Sequence, residues 1–155
     1  MLFRSLPNDE DISLPPTQRH FNPEWYDQTY LSMVIETMGN FSVATPTFIT
    51  EKSFKPIAFQ HPFIIYGDKN TLKLLREWGF ETYDNLWDES YDQLSNLVDR
   101  RDAIIKILQS VEVKNYDSET LRRIEHNYRR FFDQELVTRR IIEKVIEPIL
   151  EYAET

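Results

Sequence analysis

A chain of 155 residues with a formal net charge of −8 and a pI near 4.9 is one domain by length. Its acidic balance disfavours a nucleic-acid footprint, although a local positive pocket can still hold a phosphorylated small ligand. The chain has no cysteine, which excludes a disulfide framework and a thiolate metal site.

An intracellular, cytoplasmic location fits that composition (host cytoplasm if the protein is viral). No apolar run reaches the roughly 20 residues of a membrane helix, so no membrane partner is expected. The segment Met1–Pro7 has no signal-peptide core. Apolar residues make up 41% and aromatics 14%, enough for a chain of this size to bury a core.

Residues 1–24 read as an extended arm. Pro7, Pro15, Pro16 and Pro23 punctuate it, and Asp9-Glu10-Asp11 keeps it solvated. Residues 25–155 read as one domain. Tyr30–Glu36 is short, apolar and rich in β-formers, a first strand. Thr37 to Thr45 reads as a turn, and Pro46–Ile49 adds a brief extended piece. Thr50 is a good N-cap, with Glu51 in the first turn of a helix running to about Phe59. Pro62–Tyr66 is a second strand, buried on both faces if the sheet is parallel. A turn follows at Gly67–Asn70. Asn70 or Thr71 caps a helix through about Trp78, and Gly79 ends it. Phe80–Tyr83 is a third short strand.

Alternation of this kind predicts an α/β fold: a small parallel, Rossmann-like sheet with flanking helices. The last third is helical. One helix spans Tyr91 to about Val111. A second run, capped by Asp117 or Ser118, reaches about Tyr152, with Pro148 kinking or ending it. Apolar residues from Leu121 to Ile149 recur at threes and fours along that run, a stripe that packs over the sheet or drives self-association.

Ligands of parallel sheets bind beyond the carboxyl ends of the strands. Glu36 and Gly67 lie at such ends, and the Thr50 helix start belongs close by. A helix N-terminus carrying lysines is a place where a phosphate can sit.

The segment Phe48-Ile49-Thr50-Glu51-Lys52-Ser53-Phe54-Lys55-Pro56-Ile57-Ala58, followed by Pro62-Phe63-Ile64-Ile65-Tyr66-Gly67, resembles the donor-binding signature of fucosyltransferase-like glycosyltransferases. Glu36-Thr37 resembles the family's upstream Glu-Asn pair, at a longer spacing. Gly79–Tyr83 and Trp87–Tyr91 look like pieces of virus- and phage-encoded glycosyltransferase-like proteins. The likeness covers roughly residues 25–110. It implies the C-terminal, donor-binding half of a two-domain GT-B enzyme, with the acceptor domain supplied by another chain or lost.

In that reading the ligand is a nucleoside-diphosphate sugar, and neither metal nor cofactor is required. Thr50 lends its hydroxyl and amide to the diphosphate. Lys52 neutralises it and Lys55 assists, while Glu51 or Glu36 accepts hydrogen bonds from ribose hydroxyls. Gly67 closes the site, and no catalytic base is assigned. The alternative is a silent remnant of such a domain, an interaction or virion module assembling as a homo-oligomer or with a partner chain.

Trp87, Asp88, Glu89, Ser90 and Tyr91 form a second group. They can serve a sugar, or they can cap the next helix and fill the core; the second reading is preferred. His20, His61 and His126 lack metal-ligand spacing, and His61 alone falls near the expected site. The arginine pairs beginning at Arg100, Arg122, Arg129 and Arg139 interleave with acids, which predicts i,i+4 ion pairs on a solvated face.

Overall fold

A computed structural model describes residues 24–36 and 47–153. The expected arm and the turn over 37–45 lie outside those residues, except for Glu24, which opens α1 (Glu24–Asp27).

The chain is mixed α/β and mostly helical, around a two-stranded parallel sheet. β1 (Ser32–Ile35) pairs with β2 (Phe63–Tyr66) in the register Ser32 to Phe63 and Ile35 to Tyr66. The ladder extends one bond beyond each end. The Ser32 amide donates to Pro62 O at 2.8 Å, and the Glu36 amide to Tyr66 O at 3.0 Å. Phe63, Ile64 and Ile65 are fully buried, as a continuous apolar run demands. β1 behaves differently: Val34 points inward while Met33 and Ile35 are exposed, the alternation of a half-buried strand.

α2 (Glu51–Ala58) makes the crossover between the strands. Thr50 caps it by accepting from the Lys52 amide, and Ser53, Pro56 and Ile57 are its buried residues. α3 (Thr71–Glu77) follows β2 and ends at Gly79, whose φ of +82° is the left-handed conformation glycine adopts at little cost.

Phe80–Tyr83 forms no strand and joins no sheet, contrary to expectation. Its backbone groups are satisfied by side chains instead. Asn127 accepts from the Glu81 amide at 2.7 Å and donates to Glu81 O at 2.8 Å. Arg123 donates to Thr82 O at 2.6 Å, and Glu89 accepts from the Tyr83 amide at 2.7 Å. The side of β2 away from β1 is met by Tyr91, whose hydroxyl accepts from the Ile65 amide at 3.4 Å. The position open to a third strand is thus covered by the short 3-10 helix Ser90–Gln93.

α4 (Leu97–Ser110) begins later than the pattern indicates, because Asn96 caps it, accepting from the Val98 and Asp99 amides. α5 (Ser118–Phe131) is capped by Asp117, as expected, and packs on α2. Phe54 gathers Trp78, Phe80 and Phe131, with ring centroids 6.3, 5.8 and 5.7 Å away. Burying each large apolar side chain of this core contributes about 1.5–3 kcal/mol. α5 also fastens the preceding loop. Arg130 donates to Trp78 O at 2.6 Å, at the carbonyl end of α3 where a cation is favourable, and a ring nitrogen of His126 bonds to Gly79 O at 2.9 Å.

The expected long final helix is divided. α5 stops at Phe131, and Asp133 caps α6 (Gln134–Ile141). A π-helical turn, Ile142–Ile146, leads into α7 (Glu147–Ala153). Pro148 explains the π turn: it has no N–H to give the carbonyl four residues back, and the helix widens there. Leu121 and Phe132 are exposed, and every residue from Val137 to Leu150 faces solvent. Among the described residues, the α5 portion of the Leu121–Ile149 stripe packs on the body.

Candidate functional site at the carboxyl ends of the strands

The parallel pairing places Glu36 and the residue after β2, Gly67, side by side. A Cβ on Gly67 would stand 2.9 Å from Thr71 Oγ1 and 3.4 Å from Glu36 Cβ, so glycine is required by space rather than by φ. The Thr50 helix start lies against the same end. Glu36, Thr50 and Gly67 thus come together in one place. Glu51 is exposed on the first turn of α2, with Lys52 and Lys55 half-buried beside it.

What the structure assigns to Glu36 differs from the ribose contact expected. Its side chain is buried, and both oxygens are engaged by α2. Oε1 accepts from the Thr50 amide at 3.0 Å and from Ser53 Oγ at 2.6 Å; Oε2 accepts from Thr50 Oγ1 at 2.6 Å. The physical reason is the one that favours a phosphate: unsatisfied amides and the positive end of the helix dipole attract an anion. Here the anion is the protein's own carboxylate. The Thr50 amide and hydroxyl, both expected to meet a diphosphate, are donated to Glu36.

The neighbouring helix start repeats this arrangement. Asn70 sits at φ 68° and gives α3 no side-chain cap. Asp92 does so from the 3-10 helix, accepting from the Leu72 amide at 3.0 Å and the Lys73 amide at 3.3 Å. Asp92 is as buried as Glu36. Two helix N-termini at one end of the sheet are therefore capped by buried carboxylates distant in sequence.

On the other side of Gly67 lies Arg100, only 2% exposed. Its Nη1 donates to Gly67 O and its Nη2 to Leu94 O, while Nε has no hydrogen-bond partner. A guanidinium buried below a strand end adds fixed positive potential there. Nothing but membership of an arginine pair marks it in the sequence. Arg101, its neighbour, is exposed and bonds to Asp102, as a solvated residue does. In the other pairs one member makes the expected i,i+4 ion pair, Arg123 to Glu119, Arg129 to Glu125 and Arg139 to Glu135, while Arg122 reaches Glu81 and Arg130 the Trp78 carbonyl.

The second group falls into the core. Trp87 is 7% exposed and Tyr91 1%, so neither offers a face for a sugar to stack on. Asp88 is exposed and accepts from the Ser90 amide and hydroxyl at 2.9 and 2.8 Å, contacts that hold its carboxyl below the usual range. Glu89 is buried in a network with Arg76 at 2.8 Å, Thr82 at 2.7 Å and the Tyr83 amide. Burial raises its carboxyl above the ordinary value, against the pull of those donors. A cleft of about 570 Å³ runs beside this segment, bordered by Tyr30, Trp87, Asp88, Lys106 and Lys114 among others.

His61 is not near the carboxyl ends. It bonds to Ser32 and Thr29 at the amino end of β1, because β2 begins where β1 begins in a parallel pair. Thr29 O can only accept, so Nε2 carries the proton and Nδ1 accepts from Ser32 Oγ. Burial lowers the His61 pKa and outweighs the Thr29 carbonyl and the Asp27 charge. Among the described residues no group of three His, Asp or Glu side chains is arranged to hold a metal ion, and no helix is long and apolar enough to cross a membrane.

No protein-family model, curated protein or solved structure matches this chain.

Proposed function

We propose that the β1–α2–β2 unit is the nucleotide-sugar-binding, Rossmann-like half of a metal-independent glycosyltransferase. One observation carries the reading. A helix start bearing Thr50, Glu51 and Lys52 lies at the carboxyl ends of two parallel strands, beside a glycine that leaves room only for backbone. Ligands of parallel sheets collect at such ends.

Since Glu36 fills the Thr50 amide, the diphosphate takes a place further out, against Lys52 and Lys55. Glu51, exposed beside them, accepts from the ribose hydroxyls. The leaving diphosphate gains negative charge as the sugar departs, and the ammonium groups and helix dipole stabilise it.

Titration with GDP- and UDP-sugars tests this. Wild type is expected to bind one of them at micromolar to millimolar affinity, and Lys52→Ala to weaken that binding about tenfold, the loss of one charged contact. Identical titrations of the two proteins, or no binding at all, would overturn it.

The closed Glu36–Thr50–Ser53 network favours a second reading, in which the donor domain is silent and retained as an interaction module. Absence of nucleotide binding in wild type and in a Glu36→Gln variant supports that reading.

A further inference from the structure

We infer that the cleft beside Trp87 binds a nucleoside monophosphate, with the base inside and the phosphate at the rim. The cleft measures about 570 Å³, within the roughly 300–1,000 Å³ of small-molecule sites. None of Glu36, Thr50, Lys52 and Gly67 borders it. The inference therefore stands whether or not a nucleotide sugar binds at the carboxyl ends of the strands.

Trp87 carries the argument. Among the described residues two buried side-chain polar atoms lack a hydrogen-bond partner, Trp87 Nε1 and Arg100 Nε, and of the two residues Trp87 borders the cleft. A buried donor without an acceptor is costly, and the chain supplies none to this one. The cleft is the open space from which an acceptor can come. That acceptor is uncharged. Trp87 is 7% exposed, while Lys106 and Lys114 of the same cleft are exposed. An anion brought to the indole would be buried against a single neutral donor, away from both ammonium groups. A carbonyl oxygen or ring nitrogen on a flat apolar body meets the donor without that cost.

The walls fit such a body. Leu86, Ala103, Ile107 and Val111 line the cleft, half-buried against the core. Tyr30 borders it as well, its ring stacked on Tyr116 at 4.9 Å. Aromatic rings are platforms on which any base can stack.

The rim carries both signs. Asp88, Glu112 and Asp117 stand with Lys106 and Lys114, and all five are exposed. A simple anion gains little from a rim whose acids outnumber its bases. A ligand that offers hydroxyls and an anion together uses both. Asp88 and Asp117 are engaged by the Ser90 and Thr120 amides, so Glu112 is the acceptor for ribose hydroxyls. The phosphate takes Lys106 and Lys114, which make no ion pair among the described residues. Each further phosphate adds charge that three carboxylates repel, which selects the monophosphate over the di- and triphosphate.

Nitrogen-correlated NMR on the intact chain tests this, because Trp25, Trp78 and Trp87 give three indole N–H peaks. The Trp87 peak is assigned through its own backbone in wild type. AMP, GMP, CMP and UMP are titrated singly to millimolar concentration. One of them is expected to move the Trp87 indole peak saturably. Lys106→Ala with Lys114→Ala is expected to weaken that monophosphate about tenfold and to leave the corresponding nucleoside unchanged, since it has no phosphate to lose. An indole peak that none of the four moves overturns the inference. So does inorganic phosphate that moves it equally, or a double variant that binds the monophosphate as wild type does. The Trp87 peak reads this cleft and the Lys52→Ala titration reads the other site, so either proposal can fail alone.

Discussion

The end of the sheet and the C-terminal helix carry similar residues and treat them in opposite ways. At the sheet, Ile64, Leu72, Leu75 and Ile104 are buried, and charged side chains such as Glu36, Asp92 and Arg100 are drawn in to serve backbone groups that water cannot reach. Along residues 137–150, isoleucines and valines of the same kind lie in solvent, and Arg139 bonds to Glu135 on its own helix. The difference teaches that neighbours, not residue type, decide whether a charge anchors the fold. A carboxylate is worth burying where helix amides end; on an uncovered helix the same carboxylate is only a surface charge.

The comparison is tested most severely by removing aliphatic bulk from each side. Ile64→Ala is expected to cost about 2–5 kcal/mol of unfolding free energy, because it leaves a cavity in a sealed core. Val145→Ala, studied as monomer, should stay within about 0.5 kcal/mol of wild type. Denaturant unfolding with matched slopes reads both, and equal costs would erase the distinction between the regions.

Next comes the buried cap. Glu36→Ala strips three charge-assisted bonds from α2 and is expected to lower stability by about 3 kcal/mol. Asp92→Ala removes two bonds from α3 and should cost about 1–2 kcal/mol. A loss below half a kilocalorie for Glu36→Ala would mean that water replaces the carboxylate freely and that the site is more open than described.

The smallest effect concerns His61. Its folded pKa lies below the ordinary 6.5, so the unfolded chain binds the proton more readily. The stability that depends on neutral His61 is present above pH 6.5 and is lost as pH falls from there towards the folded value. Thermal midpoints from pH 8 down to pH 5 should decline on the acid side in wild type, and less steeply in His61→Gln. Parallel slopes in the two proteins would place the acid sensitivity elsewhere, with carboxylates such as Glu81, whose pKa is lowered chiefly by its bond to Arg122.

Much of the fold was legible because its signals are local. Thr50, Gly79 and Asp117 act on amides or carbonyls within a few residues of themselves, and each stands where its chemistry indicates. The two strands announced themselves by apolar runs between turns. Phe80–Tyr83 misled for the same reason: a short β-forming run can be a loop when Asn127, Arg123 and Glu89 supply its hydrogen bonds. In the candidate site, the company of Glu36, Thr50 and Gly67 was readable from parallel-sheet logic. The partner of Glu36 was not, and neither was the place of Arg100.

The sequence by itself determined where α2 and α5 begin and where α3 ends, which strand is apolar enough to be buried, and the i,i+4 ion pairs of Arg123, Arg129 and Arg139. Those outcomes depend on interactions spanning one or two turns. Only the tertiary structure decided that Glu36 and Asp92 fill the helix starts facing the carboxyl end of the sheet, that Arg100 is buried beneath Gly67, and that residues 137–150 are exposed. Each of those facts joins groups from 14 to 33 residues apart, or leaves a face without a neighbour among the described residues. Periodicity says which way a side chain points, and the packing of distant segments says what it meets there.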